Sequence, residues 1–199
     1  MKLLSNAKIN FGLNILRKRP DNFHDIQSIF LPIGLSDNLE INEASEFSIK
    51  VEGMDHLNEE TTDNLCSRAY QLFRREYSLP AVEIRLKKNI PIGAGLGGGS
   101  SNAAFVLKGL NQLFNLGLDS IQLQQIASKL GSDCAFFIEN RPALGSGKGD
   151  ELQPVELDLK KLEVILVNPG IHISTAEAYA GVVANSGNFS LQGISQLSR

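Results

Sequence analysis

The run P-I-G-A-G-L-G-G-G-S-S-N-A-A, beginning at Pro91, constrains this chain more than any other stretch. Five glycines fall between Gly93 and Gly99, and Ser100 and Ser101 follow. Ahead of the run Val82, Ile84 and Leu86 alternate with polar residues, the period of a half-buried strand. Behind it Ala103, Leu107, Leu110 and Phe114 recur at the spacing of a helix face. The order is strand, glycine loop, helix, with Ser100 or Ser101 expected near the N-cap. Such a turn aims free backbone N–H groups and the positive end of a helix dipole at one point. Glycines also let an anion approach the main chain closely. A phosphate is the natural occupant.

Other readings of the loop are weaker. Gly93, Gly95 and Gly98 satisfy G-x-G-x-x-G, and Asp119 lies about twenty residues on, where a dinucleotide fold would place its ribose-binding acid. Asp119, however, precedes Leu123, Ile126, Ala127 and Leu130 and reads as the cap of another helix. No Lys-Ser or Lys-Thr follows the glycines, which excludes a Walker-type loop. A flexible Gly/Ser linker is seldom framed so closely by a strand and a helix.

The 199 residues suffice for one large or two small domains with a real core. A net charge of −3 and a pI near 5.6 argue against a nucleic-acid partner. No apolar run approaches the ~20 residues of a membrane span, and the N-terminus turns polar too soon for a signal peptide. Cys66 and Cys134 form no C-x-x-C and are expected as small buried hydrophobes of a reducing cytoplasm. His24, His56 and His172 show no metal-ligand spacing.

Read in order, Ile9, Phe11, Leu13 and Ile15 form the apolar face of a first strand, with Lys8 and Asn10 projecting together from the other. On pattern alone a solvated outer face is the stronger reading for those two. A Pro-Asp-Asn turn between Arg17 and His24 leads to a buried strand carrying Ile26, Ile29, Phe30 and Leu31. Phe47, Ile49 and Val51 suggest another strand, and Thr62 or Asp63 a helix cap before Leu65, Ala69, Leu72 and Phe73. Strands dominate the first half without regular β-α alternation, which indicates an α+β layer. Gly131 is expected to stop the helix that Asp119 starts. Asp133, between that helix end and the apolar run from Cys134 to Ile138, is by position more often a cap than a catalyst. A hairpin tip is expected between Leu144 and Leu152, a short buried strand between Leu162 and Val167, and a helix from Ser174 to Tyr179 capped by Ser174 or Thr175. The tail from Asn185 offers no clear core.

Taken together, the glycine loop, the N-terminal A-K-I-N-x-x-L, the segment R-P-D-N-F-H-D-I-Q-S-I-F and G-S-D-C-A-F-F resemble the GHMP kinases, a family of ATP-dependent small-molecule kinases. The resemblance runs from about Ala7 to Tyr179. It implies a two-lobed α+β fold: an N-terminal lobe over residues 1–157, of a type also found in the translation machinery, and from 158 the opening of a ferredoxin-like C-terminal lobe. The active site would lie in the cleft. ATP with Mg²⁺ would be bound by Pro91, Ile92, Gly93, Ala94, Gly95, Leu96, Gly97, Gly98, Gly99, Ser100 and Ser101, with Asn64 near the adenine. Lys8 and Asp133 would be the catalytic pair. Within the family, the N-terminal segments resemble members whose small-molecule substrate carries a cytidine diphosphate group. On that likeness Asn10, His24, Thr175 and Tyr179 would hold the substrate, Tyr179 by stacking on the base.

Two departures qualify the match. Asn22-Phe23 stands where the family usually has Gly-Tyr, so any contact through that hydroxyl is absent. No second glycine-rich motif of the type G-S-G-A follows Tyr179, so the chain is expected to hold the first lobe and only the start of the second. The rivals are a kinase for homoserine or mevalonate-like acceptors, a nucleotide-binding module without catalysis, and an RNA-binding domain.

Overall fold

The computed structural model describes residues 1–53, 64–157, 159, 163–171 and 175–182. It is an α+β structure built on one mixed sheet. Strand β2 (His24–Glu43) is the spine. The long β1 (Lys2–Lys18) pairs antiparallel along it, from Lys2 opposite Glu40 to Lys18 opposite His24. On the other edge of β2 lie two shorter partners. Strand β4 (Val82–Lys87) takes Asn38 to Glu43, and β5 (Ala143–Ser146) takes Ser28 to Phe30. Strand β3 (Ser48–Glu52) extends the sheet parallel to β4, and β6 (Glu151–Pro154) closes a hairpin with β5 at the expected place.

The helices cover one face. They are α1 (Leu65–Tyr77), α2 (Gly98–Leu113), α3 (Ser120–Ser128) and α4 (Cys134–Glu139), with α5 (Thr175–Ala180) near the end of the described chain. Alternation in β4 turns Val82, Ile84 and Leu86 inward, where they meet Tyr70 and Phe73 of α1 and Leu107 and Leu110 of α2. Each such large apolar side chain, once buried, contributes about 1.5–3 kcal/mol. Helix α2 lies tight on the sheet: a Cβ on Gly109 would come within 2.7 Å of Ile41 and 2.9 Å of Leu3.

Several local expectations are revised. The α1 cap is Asn64, whose Oδ1 accepts the N–H groups of Cys66 (2.7 Å) and Ser67 (3.2 Å), rather than Thr62 or Asp63, which lie outside the described residues. Asp119 does cap α3, through a complete capping box with Gln122. Gly131 does not stop that helix. The α3 C-cap is Lys129, in right-handed geometry, and the chain passes through Gly131 directly into α4. The first strand departs from its expected burial at three positions, while Asn10 is exposed as its pattern suggests. Phe11 and Leu13 are 39% and 46% exposed, whereas Lys8 is 5% exposed. A register shift between Asn6 and Lys8 breaks the simple alternation, and the elements packed around Lys8 decide the rest. Residues 163–167 form no strand. They have no pairing partner among the described residues, and Ile165 and Val167 are more than four-fifths exposed. Leu162, Ser174, His56, His172 and the tail from 183 lie outside the described residues; Thr175 is the first residue of α5.

Candidate active site

The glycine loop leaves β4 and enters α2 through three alternating left-handed residues, Gly93 (φ 70°), Gly95 (φ 72°) and Gly97 (φ 69°). Such angles cost an L-residue with a Cβ roughly 1–2 kcal/mol. Gly97 is the N-cap, since Ser101 N–H makes the first helical bond to its carbonyl (2.8 Å). Ser100 and Ser101 therefore sit inside the first turn and not at the cap, which corrects the sequence expectation. With no side-chain cap present, the first-turn amides remain available to a ligand.

A cavity of about 470 Å³ opens in front of the loop. Residues 91–100 line it together with Asn64, Cys66, Lys88, Asn102 and Asp133. Ser101 is fully buried behind this wall, and its Oγ has no partner among the described residues. Burial pushes the Cys66 thiol up to about 12, so it presents an inert apolar surface. Cys134 is also buried, and for the same reason its thiol is pushed up to about 11.

Asp133 holds the N-cap position of α4 but does not cap it: its side chain makes no bond to the helix N–H groups. The carboxylate instead lies 3.2 Å from Lys8 Nζ. Lys8 is held from four sides. Its Nζ donates to Asn10 Oδ1 (2.6 Å) and stands 4.5 Å above the Phe30 ring, and its own backbone N–H donates to the Leu96 carbonyl of the glycine loop (2.9 Å). Gly97 completes the enclosure, because a Cβ there would press on Phe137 at 3.0 Å and on Lys8 Cγ at 3.2 Å. Asn10 in turn donates to Ser28 Oγ (2.8 Å), which donates to the Gly12 carbonyl (2.7 Å). A buried ammonium and a carboxylate 30% exposed to solvent thus meet at the edge of the loop cavity.

Of the remaining expected residues, His24 and Tyr179 stand ring to ring. His24 opens β2, and its ring lies 5.1 Å from the Tyr179 ring of α5, tilted by 32°. Burial, and then the Asp133 carboxylate, push the Tyr179 phenol above its ordinary range. Asn22 takes φ 65°, a conformation that glycine accepts freely and asparagine tolerates. Phe23 is exposed, with Lys148 of the β5–β6 turn 5.1 Å over its ring. The side chain of Thr175 is not among those described.

Residues 64–141 match the model of the GHMP kinases N-terminal domain. The 4-diphosphocytidyl-2-C-methyl-D-erythritol kinase of Azobacteroides pseudotrichonymphae genomovar CFP2 is 49% identical over 180 residues, which is 90% of this chain and 67% of that protein. The chain belongs to this kinase family. A crystal structure of 4-(cytidine 5'-diphospho)-2C-methyl-D-erythritol kinase superposes with a TM-score of 0.68 at 36% identity, covering 79% of this chain and 56% of that one. The mevalonate kinase of Methanococcus jannaschii, at 14% identity and a TM-score of 0.58, shares the fold alone. The chain spans about two thirds of the curated relative's length. Membership in the kinase family implies use of ATP. No described helix is long and apolar enough to cross a membrane.

Sequence reasoning passed over Lys88, Asp37 and Asn102, which meet beneath the loop. The signal was present as parity. Lys88 continues the inward positions Val82, Ile84 and Leu86, and Asp37 precedes Leu39 and Ile41 in the same phase.

Proposed function

We propose that this chain transfers the γ-phosphoryl group of ATP to the 2-hydroxyl of 4-diphosphocytidyl-2-C-methyl-D-erythritol, a step of non-mevalonate isoprenoid synthesis. The observation that carries the reading is the Lys8–Asp133 pair, 3.2 Å apart at the rim of a cavity walled by free loop amides. Phosphoryl transfer asks chiefly for positioning and for neutralising charge on the moving group. The loop amides and the α2 dipole hold the phosphate tail, with Asn64 toward the base. Asp133 accepts the proton of the acceptor hydroxyl. Lys8, 3.2 Å from that carboxylate, stabilises charge as it develops on the transferring group.

Among the described residues no three or more His, Cys, Asp or Glu gather to cage a metal. Mg²⁺ needs no such cage, since it keeps several waters and takes one or two carboxylates plus substrate phosphates. The open wall of the loop cavity leaves room for an ion carried in on the nucleotide's own phosphates. Bound with ATP, the ion would neutralise phosphate charge.

On the acceptor side Asn10, His24, Thr175 and Tyr179 hold the cytidine end, with Tyr179 offering its ring to the base. The expected result is that CDP and CMP bind and compete with the acceptor but not with ATP, whereas homoserine and mevalonate do neither. Tyr179→Ala should raise the acceptor KM roughly 5- to 150-fold, as loss of a stacked base costs roughly 1–3 kcal/mol, and leave the ATP KM unchanged. Steady-state inhibition patterns check both. Failure of CDP to bind would remove the cytidine substrate and leave a GHMP-type kinase of another specificity.

A further inference from the structure

Beneath the glycine loop, with Lys88 and Asn102 reaching the cavity wall, lies a buried polar node that no step of the proposed transfer uses. Asp37 of β2 is fully buried and pairs with Lys88, itself 7% exposed, just past the end of β4. The same Asp37 oxygen, Oδ2, accepts from Asn102 Nδ2 (2.9 Å), and Asn102 Oδ1 accepts from Lys88 Nζ (2.9 Å). The other oxygen, Oδ1, accepts the backbone N–H groups of Asn89 (2.7 Å) and Ile90 (2.8 Å). Asn102 Nδ2 also donates to Ser5 Oγ of β1 (2.7 Å). One carboxylate therefore ties residues 88–90, which lead into the loop, to Asn102 in the helix that leaves it.

Net stability gives little reason for such a node. A buried ion pair rarely stabilises more than apolar side chains of the same volume would. A fully satisfied polar network does, however, specify one arrangement of the segments it joins. The joined segments here are the two ends of the phosphate loop. They sit so close that a Cβ on Gly98 would lie 3.0 Å from Ile90 and 3.2 Å from Lys88 Nζ.

We propose that Asp37 is a positioning residue for ATP, acting through Lys88, Asn102 and the backbone of Asn89 and Ile90 to hold the loop ends where the loop amides converge on phosphate. The inference rests on the reading of the loop as the nucleotide site. It is tested with the double variant Asp37→Ala/Lys88→Met, which leaves no unpaired buried charge, and with Asn102→Ala, which keeps the ion pair. Each folded variant is titrated with a non-hydrolysable ATP analogue and, separately, with CDP, well below its melting midpoint. Amide exchange of residues 93–99 is followed without nucleotide.

The double variant should bind the ATP analogue about tenfold more weakly, a change of roughly 1.4 kcal/mol, with CDP affinity unchanged and loop exchange faster. Asn102→Ala should shift the same readouts in the same direction by a smaller factor, and it decides alone if the double variant does not fold. Unchanged analogue affinity in a folded variant overturns the inference, and so does an equal loss for both ligands. A wild-type chain that binds no ATP analogue removes the nucleotide reading and this inference with it.

Discussion

Asp133→Asn is expected to lower kcat by roughly 10²–10⁴-fold, the usual contribution of a positioned general base, with ATP affinity nearly intact. The substitution keeps shape and hydrogen-bonding reach but removes the charge that accepts a proton. Structural damage should be slight, because Asp133 makes no capping bond in α4 and the buried Lys8 ammonium keeps Asn10 Oδ1 and the new amide oxygen as acceptors. A thermal melt close to wild type together with the loss of rate would locate the effect in chemistry. Unchanged turnover would take Asp133 out of the mechanism and return it to the ordinary role of a helix-start residue.

Lys8→Met should cost nearly as much, about 10²–10³-fold in kcat, the scale seen when one preorganised group facing developing charge is removed. Methionine replaces the stem that packs beneath Gly97 and over Phe30, and the partner left behind is only partly buried. The fold should therefore survive. Lys8→Arg is not a rescue, since a planar fork cannot occupy a site closed by Phe30, Phe137 and Gly97. If the two residues act as one unit, the double variant Lys8→Met/Asp133→Asn will be about as slow as the slower single variant. Multiplicative losses in single-turnover rates would show instead that they act independently.

The parts of this site written in short-range chemistry were legible in the sequence. Glycines followed by a helix periodicity announce an anion-binding turn, and Asp119 with Gln122 three residues later announces a capped helix. What escaped depends on neighbours distant in the chain. Lys8 reads as a solvated strand residue until Asp133, just ahead of α4, and Phe30 of β2 close over it. Ser100 and Ser101 read as caps, yet the left-handed turn at Gly97 starts the helix earlier and places them inside it. Residues 163–167 have strand composition, but a strand also needs a neighbour to pair with, and composition does not supply one. Asp37 and Lys88 were visible only as charges in the inward phase of apolar strands. The roles of Lys8, Asp133, His24 and Tyr179 came from resemblance; the structure adds the distances at which those side chains stand.

The most direct test is ADP release from ATP and Mg²⁺ with 4-diphosphocytidyl-2-C-methyl-D-erythritol, homoserine and mevalonate as separate acceptors. The account predicts turnover with the cytidine-bearing acceptor alone, slowed roughly 10²–10⁴-fold in Asp133→Asn. Turnover with homoserine or mevalonate in place of that acceptor would contradict it.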